Sequence, residues 1–225
     1  MDGSESNAKK TILCYGDSNT WGYVPGSFGE RFPSHVRWPG VLSKLLRTDY
    51  WVIEEGLCGR TAITDDPISA LNDIERNGFK TLGAILETHA PIDLAVLMLG
   101  ANDLRHSARL PACDIAAAVG ILAQFARSND FGPGFSAPPE VLIVCPNAIW
   151  EVDAYFGPRF KGGRDISLGL RGAFRELNRQ FGFPVIYADD FVQVEPVDGL
   201  HLSAESHAVL AQEIARWILE REGEA

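Results

Sequence analysis

The chain has 225 residues, 46% hydrophobic and 22% charged, a mix typical of globular proteins that excludes collagen, coiled coil and wholesale disorder. Thirty acidic against twenty basic side chains leave a net charge of −10; with the acids scattered and no basic stripe, neither nucleic acid nor an anionic membrane surface is an expected partner. A domain of this length buries about 70% of its unfolded surface, so neither disulfide nor metal is needed to hold it together.

The first ten residues, MDGSESNAKK, lack an apolar stretch and read as a disordered tail. No window approaches the ~18 consecutive apolar residues of a membrane span, and a cytoplasmic location is expected. Apolar runs predict strands at 11–17, 51–57, 93–100, 140–146 and 184–189. Segments of helical period fall between and after them, near 38–48, 79–89, 112–128, 167–182 and 203–221. Strict alternation of this kind implies a parallel sheet covered on both faces. The expected fold is thus α/β, a three-layer α/β/α sandwich with a five-stranded parallel sheet, formed by one domain over 1–225. In the last helix Val209, Leu210, Ile214, Trp217 and Ile218 share an apolar face, and Ser203 with Glu205 supplies its start.

Loops 19–37, 58–78 and 147–166 follow the carboxyl ends of predicted strands, the edge of an open α/β sheet where ligands bind. Loop 129–139 lies at the opposite edge. Its G-x-G-x-x-A match at Gly132, Gly134 and Ala137 follows a helix and opens a strand, the wrong context for a dinucleotide. Cys14, Cys58, Cys113 and Cys145 form no paired spacing and read as mostly buried small hydrophobes. His35, His89, His106 and His207 show no ligand spacing, so neither a metal nor another cofactor is expected.

Four short blocks carry chemistry. Gly16-Asp17-Ser18 ends the first strand and projects a hydroxyl into the crevice, where a nucleophile belongs; alone it also fits a capping serine. Asp198-Gly199-Leu200-His201 places a carboxylate three residues before an imidazole, an orienter beside a base, although an isolated pair of this spacing also fits a solvated turn. Gly100-Ala101-Asn102-Asp103 ends the third strand and offers a side-chain amide to a developing oxyanion. Gly56 and Gly59, around the end of the second strand, each allow a backbone N–H to approach a ligand without a Cβ in the way.

In this order the blocks resemble those of the SGNH (GDSL-type) hydrolases, whose fold is flavodoxin-like. That resemblance implies Ser18 as nucleophile, His201 as general base and acid, Asp198 as orienter, and an oxyanion hole from Ser18, Gly59 and Asn102, with Gly56 the competing glycine. The strings GDSNTWGYVPG, VRWPGVL, VIEEGLCGRT and LMLGANDL are further similar to the bacterial arylesterase/acyltransferase branch. The branch implies a serine esterase acting on short-chain acyl and aryl esters through an acyl-enzyme, with acyl transfer to alcohols, and a homo-oligomer, often an octamer. A carbohydrate O-deacetylase or short-chain thioesterase on the same site is the alternative activity, and a binding module with an idle triad the alternative class. Asn19 departs from the apolar residue expected beside the nucleophile, which bears on acyl preference. Asn19, Trp21, Tyr23, Arg105, Trp150, Phe156 and Leu200 are the candidate pocket residues. Arg60 and Arg105 read as salt-bridging more than substrate-binding, and Asp65 and Asp66 as turn or surface residues.

Overall fold

The computed structural model describes residues 9–47, 49–66, 74–131, 137–153 and 155–223. Five parallel strands, β1 (Lys10–Gly16), β2 (Tyr50–Gly56), β3 (Leu94–Met98), β4 (Glu140–Cys145) and β5 (Val185–Tyr187), form one sheet in the order β2-β1-β3-β4-β5. Among the described residues six α-helices accompany them: α1 (Ser18–Trp21), α2 (Trp38–Leu46), α3 (Gly78–His89), α4 (Ala112–Arg127), α5 (Gly163–Phe181) and α6 (Ala204–Gly223). The expected α/β sandwich and flavodoxin-like strand order are what is observed.

Strand pleat divides the core in two. Leu13 and Tyr15 of β1 point to a cluster with Leu97, Leu82, Val119 and Phe174, so that face is covered by α3, α4 and α5. Their neighbours Ile12 and Cys14 point the other way, to Val96, Leu42, Leu210 and Ile214, and that face is covered by α2 and α6. In α6 the predicted stripe holds: Leu210, Ile214 and Ile218 are buried, with Val209 and Trp217 packed at the edge. Ser203 caps the helix as expected, its Oγ accepting from Ser206 N–H at 3.2 Å.

Several boundaries move. Lys10 is not tail; it opens β1 and its N–H donates to Asp49 O at 3.0 Å. The predicted tail residues 1–8 lie outside the described residues, as do Gly132 and Gly134 of the G-x-G-x-x-A match. α5 starts at Gly163, ahead of the predicted 167, because its first three residues, Gly163, Arg164 and Asp165, carry no apolar side chain and the apolar contacts begin with Ile166 and Leu170. The serine block is not followed by open loop but by the single turn of α1. Cysteines divide evenly: Cys14 and Cys145 are buried, whereas Cys58 is half-exposed and Cys113 exposed. Among the described residues no helix is long and apolar enough to cross a membrane.

The order β2-β1-β3 places the switch in connection direction between β1 and β3. Loops leaving those two strands diverge there and open a crevice at the carboxyl edge. Gly16 pairs with Met98 at that end, so the segments after both strands start side by side.

Candidate active site

The first block sits directly on this crevice. Asp17 caps α1, its Oδ1 accepting from Asn19 N–H at 2.9 Å, and Ser18 is therefore the first helical residue and not the cap. α1 lies so close to β2 that a Cβ on Gly56 would stand 2.2 Å from the Trp21 nitrogen. Gly56 is thus a packing glycine beneath the serine turn. Gly59 holds a left-handed turn at φ 79° and lines the cavity, whereas Gly56 is not among its lining residues.

The DGLH turn crosses from the other side. Ser18 Oγ lies 2.9 Å from His201 Nε2, and His201 Nδ1 lies 2.8 Å from Asp198 Oδ2. With the carboxylate accepting at Nδ1, the proton resides there and Nε2 is left to accept from the hydroxyl. Asp198 also accepts from Leu200 N–H and His201 N–H, each at 3.1 Å, and from Gly26 N–H at 3.0 Å. Burial pushes this carboxyl up, but the His201 ring and the backbone donors outweigh burial and hold it at about 2. It stays an anion across the physiological range. Tyr23 stacks on the His201 ring at 4.3 Å, and Phe156 meets it edge-on at 6.0 Å, so the imidazole is held on its face as well as its edge.

Asn102 opens a 3-10 turn after β3. Its Nδ2 donates to Arg60 O at 3.1 Å, and its Oδ1 accepts from Arg105 Nη2 at 2.6 Å. These two bonds fix which way the amide faces and leave one N–H for a ligand. Arg105 is buried, paired with Asp66 and bonded to Asn102, so it positions the amide as well as bordering the cavity. Burial and the neighbouring Arg159 charge bring its guanidinium down to about 10. Asp66 is not a surface residue: its carboxylate is buried between Arg105 and Arg159, the latter at 3.1 Å. Asp65 does stay outside, on Lys80 at 2.7 Å, while Pro67 of the same stretch lies outside the described residues. Asp103, fully buried, accepts from Ala62 N–H at 2.9 Å and ties the Gly59 loop to the Asn102 turn.

The cavity at Ser18 has a volume of about 220 Å³. Its lining includes the apolar side chains of Tyr23, Phe156, Phe160 and Leu200, the guanidinium groups of Arg76, Arg105 and Arg159, and Cys58, with Arg105 over the Phe160 ring at 5.8 Å. Burial first, and then the Asp17 charge, push the Cys58 thiol up to about 12, so it is neutral here. All three predicted loops contribute a wall. Of the candidate pocket residues Tyr23, Arg105, Phe156 and Leu200 line the cavity, and three do not. Trp21 lies outside it, under the Arg31 guanidinium at 4.8 Å. Trp150 is 38% exposed, and its N–H donates to Gly199 O at 2.8 Å, stapling loop 147–166 to the DGLH turn. Asn19 is buried behind the site: its Nδ2 donates to Leu200 O at 3.2 Å and its Oδ1 accepts from Leu202 N–H at 3.1 Å. It therefore clamps the backbone on both sides of His201 and offers no surface to an acyl chain.

Sequence reasoning missed Cys58, Arg76, Arg159 and Phe160 as lining residues. Each falls in a loop it had marked, but nothing in the local spelling says which loop side chains turn inward. A larger cavity, about 940 Å³, opens at the amino-terminal edge of the sheet by Lys10, Tyr50 and Trp217 and holds none of the site residues. Among the described residues no three potential metal ligands gather. Arg60 packs over Tyr15 at 4.1 Å and donates to Gly16 O at 2.9 Å, a structural role.

The family model described as GDSL-like lipase/acylhydrolase matches residues 14–209. A carbohydrate acetylesterase from Sinorhizobium meliloti is 34% identical with a TM-score of 0.87, over 94% of this chain and 99% of its own. The native aryl esterase of M. smegmatis is 35% identical with a TM-score of 0.86, over the same shares, 94% and 99%. A second carbohydrate acetylesterase family member from S. meliloti is 36% identical with a TM-score of 0.86, over 93% and 97%. Among curated proteins none matches the chain.

Proposed function

The chain belongs to the GDSL-like lipase/acylhydrolase family, and from that premise we propose that it is a carboxylic ester hydrolase working through Ser18, His201 and Asp198. The observation that carries the assignment of residues is the hydrogen-bonded line from Asp198 through His201 to Ser18, at 2.8 and 2.9 Å. His201 takes the hydroxyl proton as Ser18 Oγ attacks the ester carbonyl, and Asp198 stabilises the imidazolium that forms. The oxyanion of the tetrahedral intermediate accepts from Ser18 N–H, Gly59 N–H and Asn102 Nδ2. His201 then protonates the leaving alkoxide, and an acyl group remains on Ser18. Water, deprotonated by the same imidazole, releases the acid; an alcohol in its place yields a new ester.

A cavity of about 220 Å³ suits short acyl groups, and the Tyr23–Phe156 wall, with ring centroids 5.8 Å apart, suits an aryl leaving group. The likeness to the aryl esterase supports the same preference. The likeness to carbohydrate acetylesterases favours a second reading, removal of O-acetyl groups from sugars. Initial rates on 4-nitrophenyl acetate, acetylated xylose and acetyl-CoA separate these: the arylesterase reading expects the first to lead, and a lead by acetylated xylose overturns it. The same reading carries cytoplasmic location and a homo-oligomer. Sedimentation showing only a 24.6 kDa species at micromolar protein removes the oligomer.

A further inference from the structure

Of the three arginines lining the cavity, Arg76 and Arg159 have no part in the chemistry just described, and they sit in a chain of net charge −10. Among the described residues three arginines and no carboxylate line the cavity. Arg105 and Arg159 both pair with the carboxylate of Asp66. Arg76 lines the cavity outside that pairing. Among the described residues it meets no carboxylate; Nη1 donates to Cys58 O at 2.6 Å, Nε is buried away from the cavity, and Nη2 is accessible and makes no hydrogen bond among the described residues. A guanidinium with an unused donor on a cavity wall is a place for an acceptor that the protein itself does not supply.

The geometry points to an anion subsite at Arg76, and hence to esters whose acyl part ends in a carboxylate, the half-esters of short dicarboxylic acids. This rests on the hydrolase reading above. Placement on the acyl side follows from what the rings and Arg76 are tied to. Tyr23 and Phe156 pack on His201, which protonates the leaving alcohol, so the alcohol part belongs against the rings. Arg76 is bonded to the Cys58 carbonyl, immediately before Gly59, on the oxyanion side and away from that exit. Arg105 is committed to Asn102 and Asp66, so Arg76 is the residue that selects. A carboxylate there accepts from the guanidinium fork, and the cavity's modest volume limits the linker to a few methylenes.

The test compares kcat/KM for monomethyl glutarate and methyl pentanoate, followed by pH-stat, in the wild-type protein and in Arg76→Gln, Arg76→Lys and Arg76→Glu. The wild type is expected to favour the half-ester about tenfold, the share of one charge-assisted hydrogen bond. Arg76→Gln brings the ratio to near one, Arg76→Lys retains part of it and Arg76→Glu inverts it. The ratio is the readout, so any general loss from disturbing the Cys58 carbonyl cancels. If the variants do not fold, competition on the wild type decides: glutarate is expected to inhibit 4-nitrophenyl acetate hydrolysis well below the concentration at which butyrate does, and less so in high salt. Equal inhibition by the two, or a ratio near one in the wild type, overturns the subsite. A gain with 4-carboxyphenyl acetate over phenyl acetate, lost in Arg76→Gln, overturns the acyl-side placement. Failure of every ester, 4-nitrophenyl acetate included, instead overturns the hydrolase reading itself.

Discussion

Replacing Arg105 by methionine tests whether the Asn102 amide, proposed above as an oxyanion donor, is positioned or merely present. In the wild type the Asn102 amide is held at both ends, by Arg60 O at 3.1 Å and by Arg105 Nη2 at 2.6 Å. A buried hydrogen bond from a charged donor contributes about 1.5–3 kcal/mol. If that restraint acts on the transition state, kcat falls by about 10–150-fold. The ceiling is the whole amide, about 2.7–4 kcal/mol for a lost oxyanion donor. KM for 4-nitrophenyl acetate should hold, because the neutral carbonyl of the bound ester gains little from the amide. Arg105→Met also strips buried Asp66 of one partner, so stability falls and the assay is run well below the thermal midpoint. Asp66→Asn is the control: it loosens the same ion cluster but leaves the Arg105–Asn102 bond, and kcat should survive it. The decisive comparison is the double variant Asn102→Ala/Arg105→Met, expected to match Asn102→Ala alone. Arg105→Met retaining more than half of wild-type kcat, or losing the same factor when Asn102 is already gone, refutes the positioning argument.

Asn19→Ala should lower kcat more than KM, because it frees Leu200 O and Leu202 N–H on either side of His201; two orphaned buried groups also cost about 2–6 kcal/mol, read by urea unfolding. An unchanged kcat would mean the clamp does not set the serine–imidazole distance. His207 is buried with its Nε2 unpartnered, and burial first, then the His201 charge, bring it down to about 4. The unfolded chain therefore takes up a proton that the fold resists: this stability is fully present above the unfolded value near ~6.5 and lost as pH falls toward the folded one, about 3 kcal/mol between pH 7 and pH 4. Asp17, raised by burial to about 6, acts in the opposite sense, losing stability as pH rises, so the His207 share is read as wild type minus His207→Asn at each pH. Equal acid sensitivity of the two proteins would contradict the buried neutral imidazole. Vinyl acetate with benzyl alcohol in buffer should give benzyl acetate above the bulk alcohol-to-water ratio, as an aromatic wall concentrates the alcohol near the acyl-enzyme; acetic acid alone would leave a plain hydrolase.

Elements governed by near neighbours in sequence were legible. The strands announced themselves as Leu-, Ile- and Val-rich runs because both sheet faces are covered, and the stripe of α6 because one face is buried. The serine, glycine, asparagine and Asp–His blocks each fitted a cap or a turn when read alone; their order along the chain, matched to a family resemblance, marked them as a candidate site, and the fold brings Ser18, His201 and Asp198 into one hydrogen-bonded line. Asn19 was misread as a specificity residue because its partners lie 181 and 183 residues away, and no local rule shows that an amide will find them. Asp66 looked like a turn acid for the same reason: Arg105 and Arg159, which bury it, come from later loops. Trp21 and Trp150 were sensible pocket candidates by type, yet α1 turns one outward and the Gly199 staple leaves the other at the rim. The direction of a loop side chain is set by tertiary packing, and the lining by Arg76 and Arg159 was invisible for that reason.

The central claim is that Ser18 is a nucleophile activated by His201, and active-site labelling tests it most directly. Wild-type protein is treated with a fluorophosphonate ester, digested, and the modified residue located by mass spectrometry alongside residual activity on 4-nitrophenyl acetate. One phosphonyl group per chain on Ser18, loss of activity in step with labelling, and much slower labelling in His201→Asn are the expected results. Full activity without a label, or a label on another serine that tracks the loss, would contradict the account.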